Sequence, residues 1–184
     1  TLERLRAATG HGHLAGTDAL ALARRYVTGQ GIDKTLSFAA ANALTRCLYD
    51  RAGYRPPASA DSIGELDPQP DEAIGMIGYF KPLLGRVLAS GGRLTIVELK
   101  AHLAGERDGY RVTLDPAELA TCGKVLSTST ILLNDTLDAV LAHCRQARRL
   151  ALVGPTAGCL PDALFARGVT FLGGTWVTDG PAFI

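Results

Sequence analysis

Glu98 closes the apolar run RLTIVEL, residues 93–99. A carboxylate there either holds a hydroxyl or a cation, or pairs with a neighbour such as Lys81 or Lys100. A second candidate is GPTAGC, residues 154–159. It has neither the GxGxxG spacing of a dinucleotide loop nor the GK[ST] ending of a phosphate loop. It is a strand-to-helix turn with Pro161 in the first helical turn, or a turn that also touches an anion, although Pro155 has no N–H to donate. His11 and His13, in HGH, could face one metal ion from an extended segment, or could simply be solvated. Cys159 could add a soft ligand or be a small buried thiol. Asn134 and Thr136 read as a helix cap or as ligand contacts, and Tyr79 and Phe80 as core or as the wall of a pocket. Asp179 precedes Gly180-Pro181 and has the chemistry of a turn. No nucleophile elbow and no catalytically spaced pair of acids stands out, so the residues alone name no reaction.

These residues need elements to position them. Residues 1–10 and 17–29 have helical spacing, with Thr17 or Asp18 as the cap of the second segment. Thr35 or Ser37 could cap a third helix, Ala-rich, that stops near Gly53. Residues 54–72 carry four of the nine prolines and no apolar period, which suggests a linker. Short apolar runs then alternate with helical ones. Strands are expected at 73–80, 93–99, 124–130, 149–155 and 169–177. Helices are expected at 81–92, near 115–121, after Asn134 or Asp135, and at 160–168. Nearly uniform apolar strands between helices predict an α/β domain, a Rossmann-like parallel sheet with helices on both faces. A small, mainly helical lobe (1–55) and a linker (56–72) precede it, and the sheet domain fills 73–184. Ligands of such sheets bind at the carboxyl ends of the strands. The converging loops are 78–81, 98–100, 127–134, 154–159 and 173–179.

The bulk composition excludes several classes. With 19 basic and 18 acidic residues the net charge is +1, which gives no field for nucleic acid or anionic lipid. No run approaches the roughly 20 apolar residues of a membrane helix. Four cysteines without a CxxC pair read as reduced thiols, an expectation of a cytoplasmic protein.

Four stretches in order carry a resemblance: DKTLSFAAANALTRCL, IGMIGYFKPLLGRVLASGGRLTIVELK, VLSTSTILLNDTLDAVL and LALVGPTAGCLPDALFARGVTFLGGTWVTD. Together they resemble the DUF364 proteins, a family named for heavy-metal chelation, in which a lobe similar to the enolase N-terminal domain precedes a Rossmann-like domain. The matching positions are Ala40 to Leu44 with Asn42; Ile77, Gly78 and Phe80; Glu98; Thr130, Asn134 and Thr136; Gly154, Pro155 and Thr156; and Gly174, Val177 and Asp179. Asp135 stands where the family usually has Gly, and Gly158-Cys159 where Pro and an aliphatic residue are common. The segment before Lys34 is shorter than the family's lobe.

The resemblance implies a binding or chelation protein in metal homeostasis or metal-cofactor metabolism, with a transition metal ion or a metal-chelating small molecule held between the lobes. Gly78, Tyr79, Phe80, Glu98, Thr128, Thr130, Asn134, Thr136, Gly154, Pro155, Thr156, Gly174 and Asp179 are the candidate ligand contacts; His11, His13 and Cys159, which have no counterpart in the resemblance, are the candidate metal ligands on their own chemistry. The alternative is an enzyme of metallophore or corrinoid-type cofactor synthesis that binds a nucleotide or small anion at the same edge. An Ala-rich helix such as 37–48 could also form a homodimer seam.

Overall fold

The computed structural model describes residue 14, residues 16–59 and residues 61–183. The helix expected at 1–10 and both His11 and His13 lie outside the described residues. Packing separates two units. One holds the described residues up to Pro57 together with Gly158–Leu160; the other holds Ala58–Ala157 and the chain from Pro161 onward.

In the first unit, α1 (Ala19–Arg24) starts at Asp18, whose carboxylate accepts the N–H groups of Leu20 and Ala21 at 2.8 and 2.9 Å. Two of the four orphan donors of the helix start are thereby satisfied. A 3-10 turn, Arg25–Val27, leads to α2 (Gly31–Arg51). This helix begins before the expected caps. Thr35 and Ser37 lie inside it, and their hydroxyls donate back to the carbonyls of Gly31 and Asp33 at 3.0 and 2.7 Å, a bond open to Ser and Thr within a helix. The Tyr26 ring meets Phe38 at 5.0 Å, and Lys34 is buried with its ammonium 4.9 Å from the Tyr26 centroid. The ring face supplies the attraction that a buried cation needs.

The second unit is built on a seven-stranded sheet. Its strands are β1 (Ala73–Ile77), β2 (Arg93–Val97), β3 (Gly105–Arg107), β4 (Tyr110–Thr113), β5 (Lys124–Thr128), β6 (Arg149–Val153) and β7 (Phe171–Gly173). The order is β3-β4-β2-β1-β5-β6-β7, and every neighbouring pair is parallel except β3–β4. With β3 set aside, the six parallel strands stand in the doubly wound order 3-2-1-4-5-6. The helices are α3 (Lys81–Leu88), α4 (Leu137–His143), α5 (Asp162–Phe165) and α6 (Gly180–Phe183).

Sequence and structure differ in several places here. The β3–β4 hairpin was not foreseen, because its strands are polar and short; its turn is Asp108-Gly109, a strong hairpin signal. Each expected strand ends early; β1 and β6 leave the ladder at Gly78 and Gly154, which have positive φ. Neither Asn134 nor Asp135 caps α4, which follows Thr136 directly. The Asn134 side chain instead accepts the Thr136 N–H and hydroxyl at 3.3 and 2.6 Å, closing a local turn.

The core lies on the central strands: Ile74, Met76, Ile96, Leu126 and Ala151 are at most 1% exposed. The stretch 54–72 contributes to it through Ile63 and Leu66. Lys124 pins that stretch. Its side chain is 5% exposed and its ammonium meets the Glu72 carboxylate at 2.7 Å and donates to the Asp67 carbonyl. A buried ammonium is tolerable only with such partners.

Candidate functional site

β1 sends its chain one way, to β2 and then β4, while β5 lies on its other side and leads to β6 and β7. The loops leaving β1 and β5 therefore diverge, and a crevice opens at their carboxyl ends. A cavity of about 430 Å³ lies there. The ends of β1 and β2 and the turns after β4 and β5 line it, with α4 closing one side. That volume falls within the range of small-molecule pockets.

Two glycines shape this edge. Gly78 has φ +87°, and a Cβ there would sit 3.0 Å from the Thr128 methyl, so β1 can end close against β5 only without a side chain. Gly154 has φ +145°, and a Cβ would overlap the Ser129 hydroxyl. Ser129 and Thr156 share a hydroxyl–hydroxyl hydrogen bond that ties the turn after β5 to the turn after β6.

Glu98, directly after β2, serves the backbone. One carboxylate oxygen accepts the Tyr79 N–H at 3.1 Å; the other accepts the N–H groups of Leu99 and Lys100 at 2.8 and 3.3 Å. Charge-assisted bonds of this kind fix geometry strongly, so the carboxylate holds the loop after β1 against the loop after β2. The expected pairing with Lys81 or Lys100 takes a different form: the contact with Lys100 is to its backbone, and among the described residues neither lysine is in an ion pair. The Tyr79 hydroxyl is 2.7 Å from that of Tyr110, and this hydrogen bond pushes the Tyr110 phenol above its ordinary range. On the facing wall the Thr128 and Thr130 hydroxyls lie 3.0 Å apart.

Eight of the candidate ligand contacts line the cavity: Gly78, Tyr79, Phe80, Glu98, Thr128, Thr130, Asn134 and Thr136. Gly154, Pro155, Thr156, Gly174 and Asp179 do not. The Gly154 N–H is spent on the Gly173 carbonyl at 2.9 Å, and the Ala157 N–H closes the turn on Gly154 at 3.0 Å. With Pro155 lacking a donor, three positions of this loop offer no N–H to a ligand, and the loop turns as a corner. The Asp179 carboxylate accepts the Ala182 N–H at 3.1 Å and so occupies a turn. The structure adds Lys100, Leu99, Leu114 and Pro116 to the lining. The last two follow the unforeseen β4, whose signal in the sequence is the Asp108-Gly109 turn.

A broader depression of about 550 Å³ lies where Arg86, Asp61, Ser62 and Arg149 gather. Arg86 is already satisfied there by Ser62 and Asp61 at 2.7 and 3.1 Å, so we treat it as structural.

The donor chemistry bears on metal. Among the described residues no group of three or more His, Cys, Asp or Glu is placed to hold an ion. Cys159 is half-buried, and burial pushes its thiol above the ordinary range, against the thiolate that a metal requires. The described residues therefore do not fit a bare transition-metal ion. No helix among them is long and apolar enough to cross a membrane.

Comparison with known proteins agrees with this architecture. An uncharacterized protein of Methanocaldococcus jannaschii is 29% identical over 153 residues, covering 80% of this chain and 56% of its own length. The solved structure of a DUF364-family protein of unknown function from Pyrococcus horikoshii superposes with a TM-score of 0.63 at 26% identity, over 79% of this chain and 58% of that one. A second, from Desulfitobacterium hafniense, gives a TM-score of 0.62 at 23% identity, over 84% and 60%. This chain thus spans somewhat over half the length of each. The model of DUF364, described as "Putative heavy-metal chelation", matches residues 61–184. The strand order, the sheet-edge cavity and this match converge: the chain belongs to the DUF364 family.

Proposed function

We propose that the sheet domain binds a small organic molecule in the cavity at the ends of β1, β2 and β5, and that metal reaches this protein as part of such a molecule. The observation that carries the reading is the make-up of the cavity. Its walls offer hydroxyl, amide and apolar groups and one carboxylate already bonded to three N–H groups. Those groups suit the oxygen atoms and rings of a chelator better than a naked cation, which needs several anionic or imidazole ligands. The family's description supplies the link to metal chelation.

Thermal unfolding of untagged protein tests the reading. Three sets are compared: metal ions alone, chelators alone and metal–chelator complexes. A ligand at a hundred times its Kd adds about 2.7 kcal/mol to the native state, which raises Tm by roughly 5–10 °C at this size. Chelators, free or loaded, are expected to raise Tm while bare ions do not. A rise with bare ions alone would overturn the reading, and so would no rise with any chelator.

One observation favours a second reading, an enzyme that binds a nucleotide. Glu98 follows β2 in a 3-2-1-4-5-6 sheet, the place from which an acid reads ribose hydroxyls in dinucleotide-binding folds. Against it, the loop after β1 keeps only Gly78 of the glycine fingerprint, and Pro82 removes an N–H from the start of α3. Calorimetry with adenine nucleotides and S-adenosylmethionine separates the two: the second reading requires a binding isotherm.

A further inference from the structure

Within the cavity lining, the two ionised side chains are in opposite situations. The Glu98 charge is absorbed by three backbone N–H groups. Lys100 lines the same cavity, yet among the described residues its ammonium has no ion pair, and its engaged groups are the backbone N–H and carbonyl. The lining also includes large apolar side chains that face solvent: Leu99 is 71% exposed and Leu114 48%. The opposite wall carries the Thr128, Thr130 and Thr136 hydroxyls and Asn134, which have hydrogen-bonding capacity and no charge.

We propose that the cavity selects an organic anion, with an apolar ring or chain lying over Leu99 and Leu114, its acidic group read by the Lys100 ammonium, and neutral oxygen atoms facing the β5 wall. This rests on the small-molecule reading above and narrows it. The ligand class is a carboxylic acid that also bears hydroxyl or carbonyl oxygens, which is the donor pattern of an oxygen chelator. The physical reason is complementarity. An unpaired cation beside exposed apolar surface gains from a ligand that supplies the missing charge and covers that surface together. A neutral ligand would leave the charge uncompensated, and a cationic one would meet repulsion.

The test is a paired binding series followed by ligand-observed NMR and calorimetry on the full chain. The probes are 2,3-dihydroxybenzoate and salicylate against their neutral partners, catechol and salicylamide. A second arm sets adenosine 2′-phosphate against adenosine. Wild-type protein is expected to bind the acids about fivefold more tightly than the neutral partners, the scale of one solvent-edge ion pair, with the preference shrinking as salt rises. Lys100→Met should erase the preference, bringing the acids to the affinity of their neutral partners. Lys81→Met, which changes an exposed lysine outside the lining, should keep it. Equal binding of acids and neutral partners, or a preference that survives Lys100→Met, overturns the anion assignment while leaving the cavity reading intact. Absence of binding in both arms overturns both. A preference for the phosphate confined to the nucleoside arm supports the role of Lys100 and moves the ligand to the nucleotide class.

Discussion

Replacing Glu98 with Gln tests whether this carboxylate is the clamp of the sheet edge. The amide keeps the size of the side chain but replaces one acceptor oxygen with an NH₂ group. One of the two sides that now accept N–H donors must therefore face a donor instead. Leu99 and Lys100 are exposed, so water can take over their N–H groups, whereas the Tyr79 N–H is partly buried and joins residues 19 positions apart. The net loss is close to one charge-assisted hydrogen bond, about 1–2 kcal/mol after water's compensation. At this chain length that is a fall in Tm of roughly 2–8 °C. Urea denaturation gives the free energy, and hydrogen exchange read by NMR should show faster exchange at the Tyr79 amide, with little change on the central strands. Glu98→Asp separates reach from charge: it keeps the charge but is one methylene short of Tyr79, so it should behave like Glu98→Gln. The argument is refuted if Glu98→Gln is as stable as wild type with an unchanged Tyr79 amide, or if Glu98→Asp retains full stability.

The remaining predictions concern the supports of the site. Lys124→Met removes the Glu72 partner but keeps the buried stem, and should cost about 1.5–3 kcal/mol near neutral pH. The hydrogen bond from Lys124 is the main cause that lowers the Glu72 carboxyl from its ordinary 4.5. Its stabilisation is therefore complete above that value and lost as pH falls through the lower folded one. Urea titrations should show the wild-type advantage over Lys124→Met shrinking below pH 4.5; a pH-independent gap would contradict the pairing. Gly154→Ala combines a positive φ with overlap on Ser129 and should cost more than about 2 kcal/mol by the same assay. Asp135 has φ +60°, so Asp135→Val should cost about 1–2 kcal/mol while Asp135→Gly is tolerated; equal losses for the two would show that the backbone conformation does not matter there.

Much of this architecture is legible in the chain itself because it is written in local chemistry. The apolar runs around residues 74, 96, 126 and 151 alternate with helical segments, and a strand buried on both faces has no choice but to be apolar throughout. The helix start at Asp18 and the corner at Gly154-Pro155 follow from side-chain and backbone chemistry within a few residues. Asp135 also makes local sense: Asp tolerates the left-handed conformation that it takes there.

What only the tertiary structure decides is which distant residues meet. The strand order places the ends of β1, β2 and β5 around one cavity and leaves Gly174 and Asp179 outside its lining. Strand order is a property of long-range pairing, and local patterning does not encode it. The turn after β4 adds Leu114 and Pro116 to the cavity, behind a strand with no apolar period. The role of Glu98 changes for the same reason. Its type and position marked it as a ligand contact, but the Tyr79 amide that it holds comes from another strand's end. The sequence thus determined which residues could do chemistry and the elements that carry them. The fold decided which of those groups are spent on the protein's own backbone and which, like the Lys100 ammonium, line the cavity without an ion pair among the described residues.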